Sequence, residues 1–309
     1  MIKLSEYCPL HPVSKQIDFP SKRPYPQKKL LEPTKRKVKL SEREKALTLA
    51  AGFPCRDGAI LCADTEITRA GILKIPGEKI LTYKCDNVSL AVTGAGDWSY
   101  VEMTFQKISD KLGQIENPDL TPNEVQEVIE QTLLRVYESF VAVDPESAKF
   151  SIIAATRTDN DELGLLASHE SPAIARFHGF QCAGGGQILA SYLADIFYNA
   201  SISINKGVFL AAYVLGLAKK YVSGVGGRSD ILVITPNGEM KLQRPDFVKD
   251  LEATFENFDT ILQPILFSVP DIHMPEEEFD QEIVTFNRKI RELRKKLQDG
   301  HYLDFLDDD

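Results

Sequence analysis

The sequence predicts an α+β fold: a four-layer αββα sandwich, in which two sheets pack together under helices on both outer faces, with a helical extension at the C-terminal end. Three observations carry this expectation. Strand-like apolar runs come in blocks separated by pairs of helices, whereas a doubly wound sheet would alternate single strands with single helices. The runs are bounded by Asp-Gly, Asn-Gly and Gly-rich turns. The helical stretches open on capping residues.

Residues 48–53 and 59–64 are short apolar runs bounded by Pro54 to Gly58, with Asp57-Gly58 at the turn, and read as a hairpin. Strands follow at 79–83 and 87–93. Gly94-Ala95-Gly96-Asp97 then breaks the sheet, and Asp97 suits the N-cap of a helix over 97–113. A second helix, over 122–142, opens at Thr121-Pro122-Asn123-Glu124. There Thr caps, Pro takes the first helical position and Glu closes a capping box. Strands resume at 149–157, 161–168 and 172–178, then helices at 186–199 and 206–221. Strands at 230–235 and 239–243 meet at Pro236-Asn237-Gly238. Phe247, Leu251, Phe255 and Phe258 mark a helix over 245–267. Beyond Pro270, Phe279, Ile283, Phe286, Ile290, Leu293 and Leu297 are spaced 4, 3, 4, 3, 4, which predicts an amphipathic helix with a narrow seam. The domains expected are a basic, Pro-rich, propeptide-like leader (1–47), the αββα body (48–268) and a charged helical tail (269–309).

Composition narrows the function. The 309 residues are 43% hydrophobic and 26% charged, ordinary globular material. No apolar run approaches the ~18 residues of a membrane helix, and the N-terminus has no secretory h-region. Residues 1–47 carry a net +7 and the remainder −16. The leader has no folded module and no interleaved aromatics beyond Tyr7, Phe19 and Tyr25, so it reads as a solvated segment rather than a nucleic-acid arm. The five cysteines and five histidines lack C-x-x-C and H-E-x-x-H spacing, so neither metal nor cofactor is expected, and the compartment expected is the cytoplasm. Gly184-Gly185-Gly186-Gln187 lacks the Lys-Ser/Thr of a phosphate loop and reads as a tight turn for close packing. Trp98, just past a cap, reads as core or interface.

Thr48 to Asp64, TLAAGFPCRDGAILCAD, resembles the start of a mature proteasome-type β subunit, bacterial members of that family included. The shared features are a strand-opening Thr48, Asp57-Gly58 at the hairpin and Asp64 closing the second strand at the family's spacing. The resemblance continues through Lys79-Ile80 and Gly94-Ala95-Gly96-Asp97, returns at Gly226-Gly227 before Asp230, and covers roughly 48–245. It implies an N-terminal-nucleophile hydrolase: a threonine peptidase acting on peptides or proteins, assembled as a homo-oligomeric ring. In those terms Thr48 is the nucleophile, Lys79 tunes it, Asp64 orients Lys79, and the Gly94 N–H is the oxyanion donor. Ser223 and Asp230 are possible supporting groups.

Residue chemistry is consistent with these roles. A threonine hydroxyl needs a base, and a free α-amine on the same residue, with an unperturbed pKa of ~7.7–8, can supply it. Removing the leader would expose that amine. The chain also departs from the family pattern. Gly185 stands where the family has an active-site serine, Val222 where it has an acid, and Leu47 where precursors usually present glycine. Two other functions therefore stay open: a non-catalytic structural subunit that keeps its leader, and an amidase acting on small molecules.

Overall fold

The first hairpin forms as its turn residues require. In the computed structural model, which describes residues 48–69, 73–115, 120–140, 149–159 and 163–299, β1 (Ala50–Cys55) and β2 (Gly58–Asp64) pair antiparallel, with Cys55 opposite Gly58. Gly58 takes φ +147°, and a Cβ there would meet the Ile234 carbonyl oxygen at 2.3 Å, so only glycine fits. Asp57 has a second duty: its Oδ1 accepts from the Ile204 N–H at 2.7 Å, at the start of a helix 147 residues away.

In all, the described residues form twelve strands and six helices. β3 (Glu66–Arg69) and β4 (Leu73–Pro76) form a separate ribbon, and β5 (Ile80–Cys85) and β6 (Val88–Gly96) make the next hairpin. Helices α1 (Trp98–Leu112) and α2 (Pro122–Phe140) come next, then β7 (Phe150–Thr158), β8 (Gly164–His169), β9 (Ala175–Arg176) and β10 (Gln181–Ala183). The chain continues through α3 (Gln187–Phe197), α4 (Ile204–Tyr221), β11 (Ser229–Ile234), β12 (Met240–Leu242), α5 (Pro245–Ser268) and α6 (Glu276–Asp299). One five-stranded antiparallel sheet has the order β10-β1-β2-β11-β12 and the other β5-β6-β7-β8-β9. Among the described residues no helix is long and apolar enough to cross a membrane.

Three apolar cores account for this arrangement. Phe53, Ile60 and Cys62 of the first sheet pack with Val208, Leu215, Phe247 and Leu251 from α4 and α5. Leu90, Val92, Ile152 and Ala154 of the second sheet pack with Ile108, Leu112, Ile129 and Leu133 from α1 and α2. The intervening residues of the same strands, Ala59, Leu61, Ala91, Ile153 and Ala155, meet in the third core, which draws on both sheets. Successive residues of β2, β6 and β7 thus point into different cores. Both faces are buried, and the strands read as unbroken apolar runs.

The caps are the expected ones. Asp97 Oδ1 accepts from the Ser99 N–H at 2.9 Å. Glu124 Oε2 accepts from the Thr121 N–H at 2.7 Å while Thr121 Oγ1 accepts from the Glu124 N–H at 3.3 Å, a reciprocal capping box. Trp98 packs at the edge of the core beneath α1 and α2.

The differences from expectation are short elements. The strand expected at 172–178 shrinks to the two residues of β9, and the three-residue β10 joins the other sheet. The β3–β4 ribbon was not expected. Such pieces are too short to show a period of two, and their pairing comes from tertiary contact. The leader (1–47), the span 161–162, positions 141–142, the Leu297 side chain and Asp307–Asp309 lie outside the described residues.

Phe53 is fully buried, stacked on Phe180 at 5.2 Å and edge-on to Tyr198 at 5.5 Å. Phe53→Ala is expected to destabilise the chain by about 3–5 kcal/mol in urea unfolding. Leu242→Ala, at a half-exposed side chain of β12, should stay within about 0.5 kcal/mol.

Candidate active site

β1 and β2 come together at one end of their hairpin. There the Asp64 N–H donates to the Leu49 carbonyl at 3.1 Å, and the Leu49 N–H returns a bond to Asp64 Oδ1 at 2.9 Å. Thr48 lies one residue further out, just ahead of β1. Its carbonyl accepts from the Gly186 N–H at 3.2 Å. A Cβ on Gly184, whose φ is +99°, would approach that carbonyl oxygen to 2.3 Å. The glycine turn before α3 is therefore packed on the backbone of Thr48, in keeping with the close-packing role expected of it.

β11 sets the other wall. It pairs with β2 so that Ser229 faces Asp64, which brings the preceding loop against the carboxylate. The Gly226 N–H donates to Asp64 Oδ2 at 3.1 Å, and the Glu66 N–H donates to the same oxygen at 3.3 Å. Lys79 enters just before β5, from the other sheet. Its Nζ donates to Asp64 Oδ1 at 3.0 Å and also to Thr48 Oγ1. Thr48 Oγ1 in turn donates to Asp64 Oδ1.

Thr48, Asp64 and Lys79 thus form a closed hydrogen-bonded triangle. They are 6%, 0% and 3% exposed, so water hardly competes for these bonds. Burial pushes the Lys79 amine below the ordinary lysine range, while Asp64, Glu66 and Asp230 oppose the shift by favouring the ammonium form. Asp230, buried in β11, moves the other way. Burial raises its carboxyl pKa, helped by Glu78 and Asp64 and opposed by Arg228 and Lys79.

The remaining expected residues divide. Continuing the β5–β6 register by one step from Ile80↔Thr93 sets Gly94 beside Lys79. A Cβ there would lie 2.4 Å from the Ser151 carbonyl oxygen, so close packing against β7 already demands glycine. Asp230 lies within electrostatic reach of Asp64 and Lys79. Ser223 is exposed in the turn after α4 and makes none of the hydrogen bonds of the triangle. Gly185 is exposed and Val222 packs at the edge of a core.

Three participants were not read from the sequence. The backbone N–H groups of Leu49 and Gly226 carry no side-chain signature. Glu66, whose carboxylate pairs with Lys74 at 2.6 Å, opens β3 two residues after Asp64 closes β2, and that proximity in the chain was the available signal.

Comparison with solved structures places this architecture. An Anbu (Gly-1) mutant from Hyphomicrobium sp. strain MC1 is similar at a TM-score of 0.62 and 13% identity, covering 72% of this chain and 100% of its own. Anbu, an ancestral beta-subunit, from Yersinia bercovieri is similar at 0.61 and 10%, covering 70% and 97%. The chain has the Anbu fold. The Pseudomonas aeruginosa Anbu complex, described as a helical assembly, gives 0.60 and 13% over 74% of this chain and 99% of that one. At these identities the likeness speaks for the fold alone. No protein-family model matches the chain, and no curated protein matches it.

The shift at Asp230 sets a pH dependence. Its folded-state pKa lies above the ordinary 3.8, so the folded chain holds this proton after the unfolded chain has released it. Stability from this group is complete at low pH and is lost as pH rises from the unfolded value through the folded one. Asp230→Asn should remove that decline. In urea unfolding between about pH 4 and 7, the parent's stability relative to the variant should fall as pH rises. A constant difference would contradict the shift.

Proposed function

We propose that the chain is a proteasome-like threonine peptidase that uses Thr48 as an N-terminal nucleophile once the leader is removed. The observation that carries this reading is the buried triangle of Thr48, Asp64 and Lys79. A buried ion pair adds little to stability, since a well-packed apolar replacement is often neutral or better. One that encloses a hydroxyl, in a fold shared with an ancestral beta-subunit, is better accounted for by chemistry.

In this reading the freed α-amine of Thr48 takes the hydroxyl proton as Oγ1 attacks a peptide carbonyl. The amine then passes the proton to the leaving amine, giving an acyl ester on Thr48. Water repeats the sequence to release the acid and restore the hydroxyl. Lys79 Nζ, within hydrogen-bonding distance of Oγ1, stabilises the developing alkoxide, and Asp64 holds Lys79 in place. The Gly94 N–H is the proposed oxyanion donor and Asp230 a supporting charge. Ser223, exposed in its turn, would need to move to contribute. The three cores are read as the interiors of a four-layer αββα sandwich spanning 48–268, with 269–309 an appended helical tail. The particle is a homo-oligomer in the cytoplasm, and its substrates are peptides or proteins.

A second reading, a non-catalytic structural subunit, rests on a specific observation. Gly185 and Val222 stand where the family pattern has a serine and an acid and bring no polar side chain, which leaves a freed amine fewer groups to orient it.

Exposure of Thr48 tests the proposal. While Leu47 is attached, the Thr48 nitrogen is an amide and accepts no proton near neutral pH. A chain beginning at Thr48 should hydrolyse a fluorogenic peptide at least ~100-fold faster than the full-length chain. Thr48→Ala in the shortened chain should abolish turnover. Lys79→Ala should also lower it by at least ~100-fold, with the fold retained by circular dichroism. Equal rates for shortened and full-length chains would assign the nucleophile elsewhere. Inactivity of both, with the shortened chain folded and assembled, would favour the structural subunit.

A further inference from the structure

The last helix carries a charge pattern that reaches well beyond its termini. The first half of α6 holds Glu276, Glu277, Glu278, Asp280 and Glu282 with no base. Its second half holds Arg288, Lys289, Arg291, Arg294, Lys295 and Lys296 against Glu292 and Asp299. Acids at a helix start and bases at its end complement the macrodipole, but that effect fades within the terminal turn. Here the acidic run extends to the second turn, and the basic run begins at mid-helix. Among the described side chains of α6, Glu276 to Lys295, none is in an ion pair.

The packing of α6 is also incomplete. Seven residues separate α5 from α6, too few to run back along a helix of about 36 Å, so the two lie as a hairpin. The seam residues Phe279, Ile283, Phe286, Ile290 and Leu293 are all half-buried, and no described residue of α6 is fully buried. Near the tip of the hairpin, Leu262, Leu266, Val269 and Ile272 are 38%, 63%, 64% and 86% exposed. A seam of this spacing, covered from one side, is what half of a four-helix bundle presents.

We propose that the α5–α6 hairpin pairs with the same hairpin of a second copy of this chain, the two α6 helices running antiparallel about a two-fold axis near Asn287. The charge pattern selects both occupant and direction. Antiparallel, each acidic half lies along the other copy's basic half. Parallel, five carboxylates would face five. A two-fold axis makes the surface self-complementary, and the second hairpin covers the exposed tip residues. The proposal does not depend on the chemistry of Thr48.

Cross-linking of the full-length chain tests it. Asn287 and Glu277 are both exposed. Under mild oxidation Asn287→Cys should give a disulfide-linked dimer on a non-reducing gel, well above the parent's background. Glu277→Cys should not, because its two copies would sit on the order of 30 Å apart. Charge reversal gives a second readout. A chain with Glu277→Lys, Asp280→Lys and Glu282→Lys, and another with Arg288→Glu, Arg291→Glu and Arg294→Glu, should each lose the pairing and show a lower mass by light scattering. Mixed together they should regain it. Cross-linking at position 277 as readily as at 287, or unchanged mass in the singly reversed chains, would overturn the proposal.

Discussion

The arrangement of the candidate site depends on one buried carboxylate. Asp64 is fully enclosed at the end of β2, and an isolated ion there would cost several kcal/mol in lost hydration. It is tolerated because five donors converge on its two oxygens: the backbone N–H groups of Leu49, Glu66 and Gly226, the Thr48 hydroxyl and the Lys79 ammonium. Most of these donors come from different parts of the architecture. The hairpin register supplies Leu49, the β2–β11 pairing brings up Gly226, and Lys79 crosses from the second sheet. A slip of any one of them would leave the charge short of a partner, so the carboxylate enforces the alignment of both sheets near Thr48.

The same constraint organises the electrostatics. Asp64, Glu66 and Asp230 lie within electrostatic reach of Lys79, and Arg228, Glu78, Asp64 and Lys79 within reach of Asp230. Lys79 is held between two opposing effects, burial lowering its proton affinity and nearby carboxylates restoring it. Asp230 sits in the opposite balance and retains its proton beyond the usual range. Burial thus moves both groups away from their ordinary ranges and toward each other, and perturbed groups of this kind are a frequent feature of sites that move protons. Here they are grouped around a hydroxyl whose own carbonyl is clasped by the Gly186 N–H.

Away from the site the chain solves a packing problem with small residues. The core shared by the two sheets is rich in alanine, with Ala59, Ala91, Ala95, Ala155, Ala167 and Ala183 in contact with Leu61, Ile153 and Leu232. The cores beneath the helices use larger side chains, including Phe53, Phe150 and Phe247. Small side chains let the sheets approach closely, which is what allows Lys79 of one sheet to reach Asp64 of the other. The α5–α6 hairpin has no such enclosure, and its apolar seam is shared between protein and solvent.

By itself, the sequence determined what is decided within a few residues. The Asp57-Gly58 hairpin, the Asp97 cap, the Thr121–Glu124 capping box, the positions of the long strands and helices, and the seam of α6 are local in this sense, because turn chemistry, capping and periodicity act over one or two turns of chain. Thr48, Asp64 and Lys79 were also legible, through their resemblance to a family pattern and not through any local signal. Tertiary structure alone decided the rest. It brought in Glu66 and two backbone N–H groups, kept Ser223 at the surface, gave Asp57 a helix to cap, and assigned β10 to the first sheet. Each of these depends on partners between two and some 160 positions apart, and backbone donors and short strands carry no side-chain pattern that announces their partners. Burial, which gives the triangle its chemistry, arises only when both sheets close over it.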